Sequence, residues 1–174
     1  MEKVKLFMTH DLQNIPTHTL PDGYHFRLFG SKENDDQLWA EIVTATDEFP
    51  SVEKALQRFN SEFAPHRDEA EKRIIFLETA DGHAAGTATA WFGQWNDNEI
   101  GRLHWIEIFP KFQSKGLGKP LIAHAMKTLA LYHQTAYLTT QQTSPAAIHI
   151  YKKFGWKPAI VSEADGLVWG EIGG

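Results

Sequence analysis

The chain has 174 residues, about the size at which one hydrophobic core serves one domain. Seventeen Lys and Arg against 22 Asp and Glu give a net charge of -5, while 42% apolar and 12% aromatic residues exclude wholesale disorder. There is no cysteine, which excludes disulfides, Cys-ligated zinc, iron–sulfur clusters and any route through a cysteinyl acyl-enzyme. Met1 to Phe7 lacks an apolar stretch of signal-peptide length, and the longest uncharged run, Ala84 to Asn96, is too short to cross a bilayer. Net acidity without a basic stripe argues against a nucleic-acid partner. A soluble, cytoplasmic, single-domain protein (residues 1–174) without a membrane partner is the expectation.

In chain order, Val4–Met8 reads as a short strand, and Tyr24–Phe29 alternates apolar and polar as a strand does. Leu38, Trp39, Ile42 and Val43 fall at helical spacing in Asn34–Thr46, with Asn34, Asp35 and Asp36 as cap and acidic first turn. A second helix runs from a Ser51 cap to Phe63, where Pro65 stops it. Ile74–Glu78 and Ala84–Phe92 form a hairpin across Asp81-Gly82, and Arg102–Phe109 is the next strand. There follow a helix over Leu117–Tyr132, a strand at Ala136–Thr140, a helix at Pro145–Phe154, and strands at Trp156–Val161 and Leu167–Ile172 after an Asp165-Gly166 turn. This order predicts an α+β fold with a single mixed, mostly antiparallel sheet flanked by helices.

The segment between the Arg102–Phe109 strand and its helix carries the chemistry. Gln113, Ser114, Lys115, Gly116, Leu117, Gly118 and Lys119 form a turn whose backbone N–H groups can converge, and the helix N-terminus adds partial positive charge. Arg102, Lys111, Lys115 and Lys119 against Glu107 make this stretch +3 within an acidic chain. Such a turn suits a pyrophosphate, or it is simply a glycine-rich connection. It is not a Walker A loop, because Gln113 and Pro120 stand where Gly and Ser/Thr are needed. Nor is it a dinucleotide fingerprint, whose third glycine would fall at Leu121.

Gln113-Ser-Lys-Gly116-Leu-Gly118 resembles the Gln/Arg-x-x-Gly-x-Gly/Ala signature of the GNAT superfamily of acyl-CoA N-acyltransferases, and Ile108-Phe-Pro110 resembles its approach. Ala147-Ile-His-Ile-Tyr151-Lys-Lys-Phe-Gly155-Trp156 resembles the family's Ala-x-x-hydrophobic-Tyr-x-Lys-x-Gly-aromatic segment. The likeness covers 73–174, the acyl-CoA-binding core. Residues 1–72 match in element order only and correspond to the variable part that shapes the acceptor site.

The resemblance implies acetyl-CoA as co-substrate, its pyrophosphate on the amides of Gln113–Gly118 with Lys119, and its pantetheine along Ile106–Ile108. Ser144 stands where the family commonly has Asn; it would bond pantetheine or cap the helix. Tyr151 occupies the place of the family's acid that protonates the departing thiolate, unless it is a core aromatic. The base is His104 or Glu107: His104 has a suitable intrinsic pKa, whereas Glu107 faces the other side of a regular strand unless a bulge intervenes. The remaining histidines show no ligand spacing, so no metal is expected. Trp39, Trp91 and Trp95 could wall an acceptor pocket, with core packing the default. Asp47, Glu48, Glu53, Glu62, Asp68, Glu69 and Glu71 make the N-terminal part acidic, which favours a cationic amine acceptor if that part overhangs the site. An N-acetyltransferase working by direct transfer is the expected activity, with a non-catalytic acyl-CoA-binding module as the rival; the resemblance also allows a homodimer.

Overall fold

A computed structural model describes residues 4–172. In chain order the elements are β1 (Lys5–His10), β2 (Tyr24–Leu28), α1 (Asp35–Ala45), α2 (Val52–Glu62), α3 (Arg67–Arg73), β3 (Ile74–Thr79), β4 (Ala84–Trp95), β5 (Asn98–Ile108), α4 (Gly118–Tyr132), β6 (Ala136–Gln141), α5 (Pro145–Lys153), β7 (Lys157–Ala159) and α6 (Glu163–Ile172). Short 3-10 turns occupy Ala64–His66 and Pro110–Phe112. The seven strands form one sheet in the order β2-β3-β4-β5-β6-β1-β7. Among the described residues only β5 and β6 run parallel; every other pairing is antiparallel, as the α+β expectation requires.

Both faces of the sheet are covered. Along β3, Ile74 and Phe76 pack with Trp39, Ile42, Phe59 and Phe63 of the α1–α2 side, while Ile75 and Leu77 pack with Leu121, Met126 and Leu129 of α4. That alternation is the two-residue period of a strand buried on both sides. Ser51 accepts the Lys54 N–H at 3.2 Å and so caps α2 as expected. β4 and β5 are longer than the sequence suggests, because Asn96 and Asp97 both take positive φ (48° and 67°) and close a tight hairpin.

Two expectations are corrected, and one helix is added that the sequence pattern does not show. Leu167–Ile172 is not a strand but part of α6. Ser162 and Asp165 form a reciprocal cap: Asp165 N–H donates to Ser162 Oγ at 3.2 Å, and Ser162 N–H donates to Asp165 Oδ1 at 2.8 Å. The Asp165-Gly166 pair therefore lies inside a helix rather than in a turn. Beyond Pro65 the chain forms α3, whose acidic start and basic end complement the helix dipole but whose sequence has no apolar period. Asn34 does not cap α1; it sits in the left-handed region (φ 61°) with no capping bond.

Asp35 instead accepts the Gly30 N–H at 2.8 Å and both Nη atoms of Arg27. Arg27 also reaches Glu78, which Lys32 approaches at 3.2 Å. Burial opposes ionisation of Glu78, but Arg27 and Lys32 outweigh it and hold the carboxyl below its ordinary range. A depressed carboxyl pKa contributes stability above the unfolded-state value, lost as pH falls through the folded one. Glu78→Gln should therefore cost on the order of 3 kcal/mol in urea unfolding at pH 7. The deficit should shrink progressively in strong acid; an equal deficit at both pH values would show that the charge plays no part.

Candidate active site

The site begins with a register shift. On β4 Thr89 faces His104 and Thr87 faces Glu107, so two steps on one strand match three on the other. The extra residue of this bulge lies next to Trp105, whose φ of 49° is rare for a bulky side chain. Because Thr87 and Thr89 share a face of β4, the bulge puts His104 and Glu107 on one face as well. In a regular strand they would oppose each other.

Beyond this point β5 has no neighbour on its other edge among the described residues. Its parallel pairing with β6 comprises Gly101–Ala136 and Arg102–Tyr137 and goes no further. The strands part around a cavity of ≈ 380 Å³ lined by Ile106, Glu107 and His104 of β5, Thr139 to Gln141 of β6, and Ser144 and Tyr151 of α5. Glu48 and Trp105 also line it. Thus one cleft gathers His104, Glu107, Tyr151, Ile106 and Ser144. Ile108 and Gln113–Lys119 lie outside its walls and lead from β5 into α4.

His104 Nε2 is hydrogen-bonded to Glu62 Oε1 at the end of α2, and the two side chains are 11% and 17% exposed. Burial lowers the His104 pKa, helped by Arg102 and Arg58, and Glu62 only partly restores it. The imidazole is consequently neutral at pH 7. Burial first, and the nearby Glu48 charge second, push the Glu107 carboxyl up to about 8. Burial and then Glu107 raise the Tyr151 hydroxyl above the ordinary tyrosine range, so it stays protonated. Ser144 precedes α5 without making a capping hydrogen bond, so the cap reading fails and its side chain is left to the cleft.

Glu48 is delivered by the end of α1. Asp47 takes the left-handed conformation (φ 66°), its N–H bonds to Thr44 O at 3.1 Å, and the Glu48 N–H bonds to Val43 O at 3.0 Å. These are the two bonds of a Schellman motif.

In the glycine-rich turn, Gly116 has φ +76°, and a Cβ at Gly116 or Gly118 would meet nothing within 4 Å. No side chain caps the start of α4. The turn is therefore uncrowded at both glycines and leads into an uncapped helix start beside Lys115 and Lys119. Gln113 Nε2 donates to Ile108 O at 3.0 Å, tying the turn to the strand end. Among the described residues, no group of three or more His, Asp or Glu could hold a metal ion. No helix among them is long and apolar enough to cross a membrane.

The sequence profile of the acetyltransferase (GNAT) family matches residues 36–156. The chain belongs to that family. Streptothricin acetyltransferase from Streptomyces lavendulae is 30% identical over 91 residues, which are 51% of this chain and 47% of that relative, so the chain spans about half its length. A GCN5-related N-acetyltransferase from Sphaerobacter thermophilus superposes with a TM-score of 0.69 at 16% identity, over 90% of this chain and 49% of that one. One from Kribbella flavida gives 0.60 at 17% identity, over 90% and 55%. These neighbours establish the GNAT fold, and the family match covers its acetyltransferase core.

Sequence reasoning named Glu48 and Glu62 only among the acids of the N-terminal part, and did not name Trp105 as a site residue. Glu62 left one signal: it is the last residue of a helix, where an acid opposes the dipole and needs another partner. Trp39 and Trp91 are buried core, and Trp95 lines a separate groove, so none of the three walls this cleft. Glu69 and Glu71 pair with Arg73 and Arg67 of α3 instead of reaching the site. Carboxyl-resolved NMR should find Glu107 titrating near pH 8. Glu48→Gln should move that midpoint down, and an unmoved midpoint would leave burial as the sole cause.

Proposed function

We propose that the protein is an N-acetyltransferase that moves an acetyl group from acetyl-CoA to a primary amine by direct transfer in a ternary complex. The observation that carries this reading is that His104 and Tyr151 line one cleft, opened where β5 and β6 part. The Gln113–Gly118 amides and Lys119 would hold the pyrophosphate. The unpaired edge of β5 from Ile106 to Ile108, with Ser144 opposite, would hold the pantetheine arm. The bound thioester supplies the activated acyl carbon. His104 accepts the proton lost by the amine as the C–N bond forms, and Tyr151 donates its proton to sulfur as the C–S bond breaks. No cysteine is present to carry the acyl group between them.

Glu107 is the poorer base at pH 7, since a carboxyl with a pKa of about 8 still holds its proton. It suits a different task. With Glu48 at the cleft it would receive a cationic amine, whose charge relieves the repulsion that opposes ionisation of Glu107. A small polyamine, amino sugar or amino-acid derivative matches that chemistry, as does a peptide amine.

The test is to mix the protein with acetyl-CoA and a panel of amines and follow free thiol and N-acetyl product. Amine-dependent release is expected; tight coenzyme binding without it across the panel would make the protein an acyl-CoA-binding module. Tyr151→Phe should lower kcat about 10²-fold with little change in KM for acetyl-CoA, and unchanged turnover would remove the thiolate-protonation role. Glu48→Gln should raise KM for cationic amines and leave that for neutral-side-chain amines nearly unchanged.

A further inference from the structure

His104 has two ring nitrogens, and the surroundings treat them unequally. Nε2 is engaged by Glu62 Oε1, while Nδ1 makes no hydrogen bond to the described residues. The second oxygen of Glu62 is held as well: the Trp105 indole N–H donates to Oε2 at 3.4 Å, and Arg58 Nη1 lies 3.7 Å from it. Burial opposes ionisation of Glu62, but His104, Trp105 and Arg102 together keep its carboxyl below the ordinary range. An ionised carboxylate only accepts, so Nε2 must donate.

We infer that Glu62 is a positioning residue for His104: it fixes the Nε2–H tautomer and ring orientation, leaving Nδ1 as the nitrogen that takes the proton from the amine. This rests on His104 being the base in the proposed reaction. The arrangement also explains why an acid stands at the C-terminus of α2 against the helix dipole. It explains the strained backbone at Trp105, whose ring braces the carboxylate while its main chain forms the bulge. The proton's path balances: Nδ1 gains it from the amine nitrogen, and the imidazolium so formed is stabilised by the Glu62 charge across Nε2–H.

The charged groups facing His104 are Glu62 and Arg58 from α2 and Arg102 from β5. Removing the Glu62 charge leaves two arginines, so the His104 pKa falls further and the acidic limb of kcat/KM moves to lower pH. At the same time kcat drops, because the tautomer is no longer fixed. Simple loss of folded protein would lower activity without moving that limb.

The experiment compares the native protein, Glu62→Gln, Glu62→Asp and His104→Ala, using the fastest acceptor of the amine panel. Glu62→Gln should reduce kcat about 10²-fold with the acidic limb shifted down, and Glu62→Asp should recover part of both. Imidazole ¹⁵N NMR of the native protein should show Nε2 protonated and Nδ1 bare at neutral pH. An Nδ1–H tautomer there overturns the inference whatever the kinetics. If Glu62→Gln keeps native kcat and pH profile while His104→Ala loses them, the positioning role falls and the base stands. If His104→Ala keeps both, the base itself falls, and with it the role of Glu62.

Discussion

The cleft exists because β5 and β6 are bound to each other over two residue pairs and then separate. Parallel neighbours need a crossover, and here α4 supplies it, so the chain leaves β5 through the glycine-rich turn and returns as β6. Every functional placement follows from that path. The turn and the helix start end up directly after the open stretch of β5, and α5, following β6, brings Tyr151 and Ser144 to the opposite wall. The bulge beside Trp105 then decides which β5 side chains meet the gap. Without it, only one of His104 and Glu107 would share a face with the cleft.

Within this gap the protein sets similar groups to different tasks through their surroundings. Glu62 and Glu107 are both partly buried carboxylates near β5. One is met by a histidine and an indole and stays ionised; the other is met by a second carboxylate and keeps its proton to about pH 8. His104 is neutral and Tyr151 protonated, so a proton acceptor and a proton donor stand ready together at neutral pH. The chain's net charge of -5 predicts neither arrangement. The cationic Lys115 and Lys119 stand in the turn that follows β5, whereas Glu48 lines the cleft.

What the sequence reveals is what is local along the chain. The turn over Gln113–Lys119 is legible because its positive φ, its room at the glycines and the helix start all follow from neighbouring residues. Tyr151 is legible from its own helix. The shared face of His104 and Glu107 is not, since it depends on how β5 registers with β4, and Trp105 gives no glycine-like signal of its left-handed backbone. Glu62 and Glu48 look like solvated charges until α2 and the end of α1 fold over β5. The misreading of α6 has a local cause as well: Gly166 and Gly170 mask a helix that the Ser162–Asp165 cap and buried Trp169 nevertheless hold.

The position of β1 in the sheet has a consequence for how the molecule assembles. Every residue of β6 pairs with β1, and from Leu138 onward β1 is the only strand among the described residues that holds β6, because β5 has already turned away. The first strand of the chain is also the one that binds β7. Lys5–His10 therefore stays unpaired during synthesis until residues 136–159 have emerged, and closing so long a loop is slow compared with forming the local β3–β4–β5 meander. The far wall of the cleft is thus among the last parts to be fixed, and its stiffness is set by a strand more than a hundred residues away in the chain.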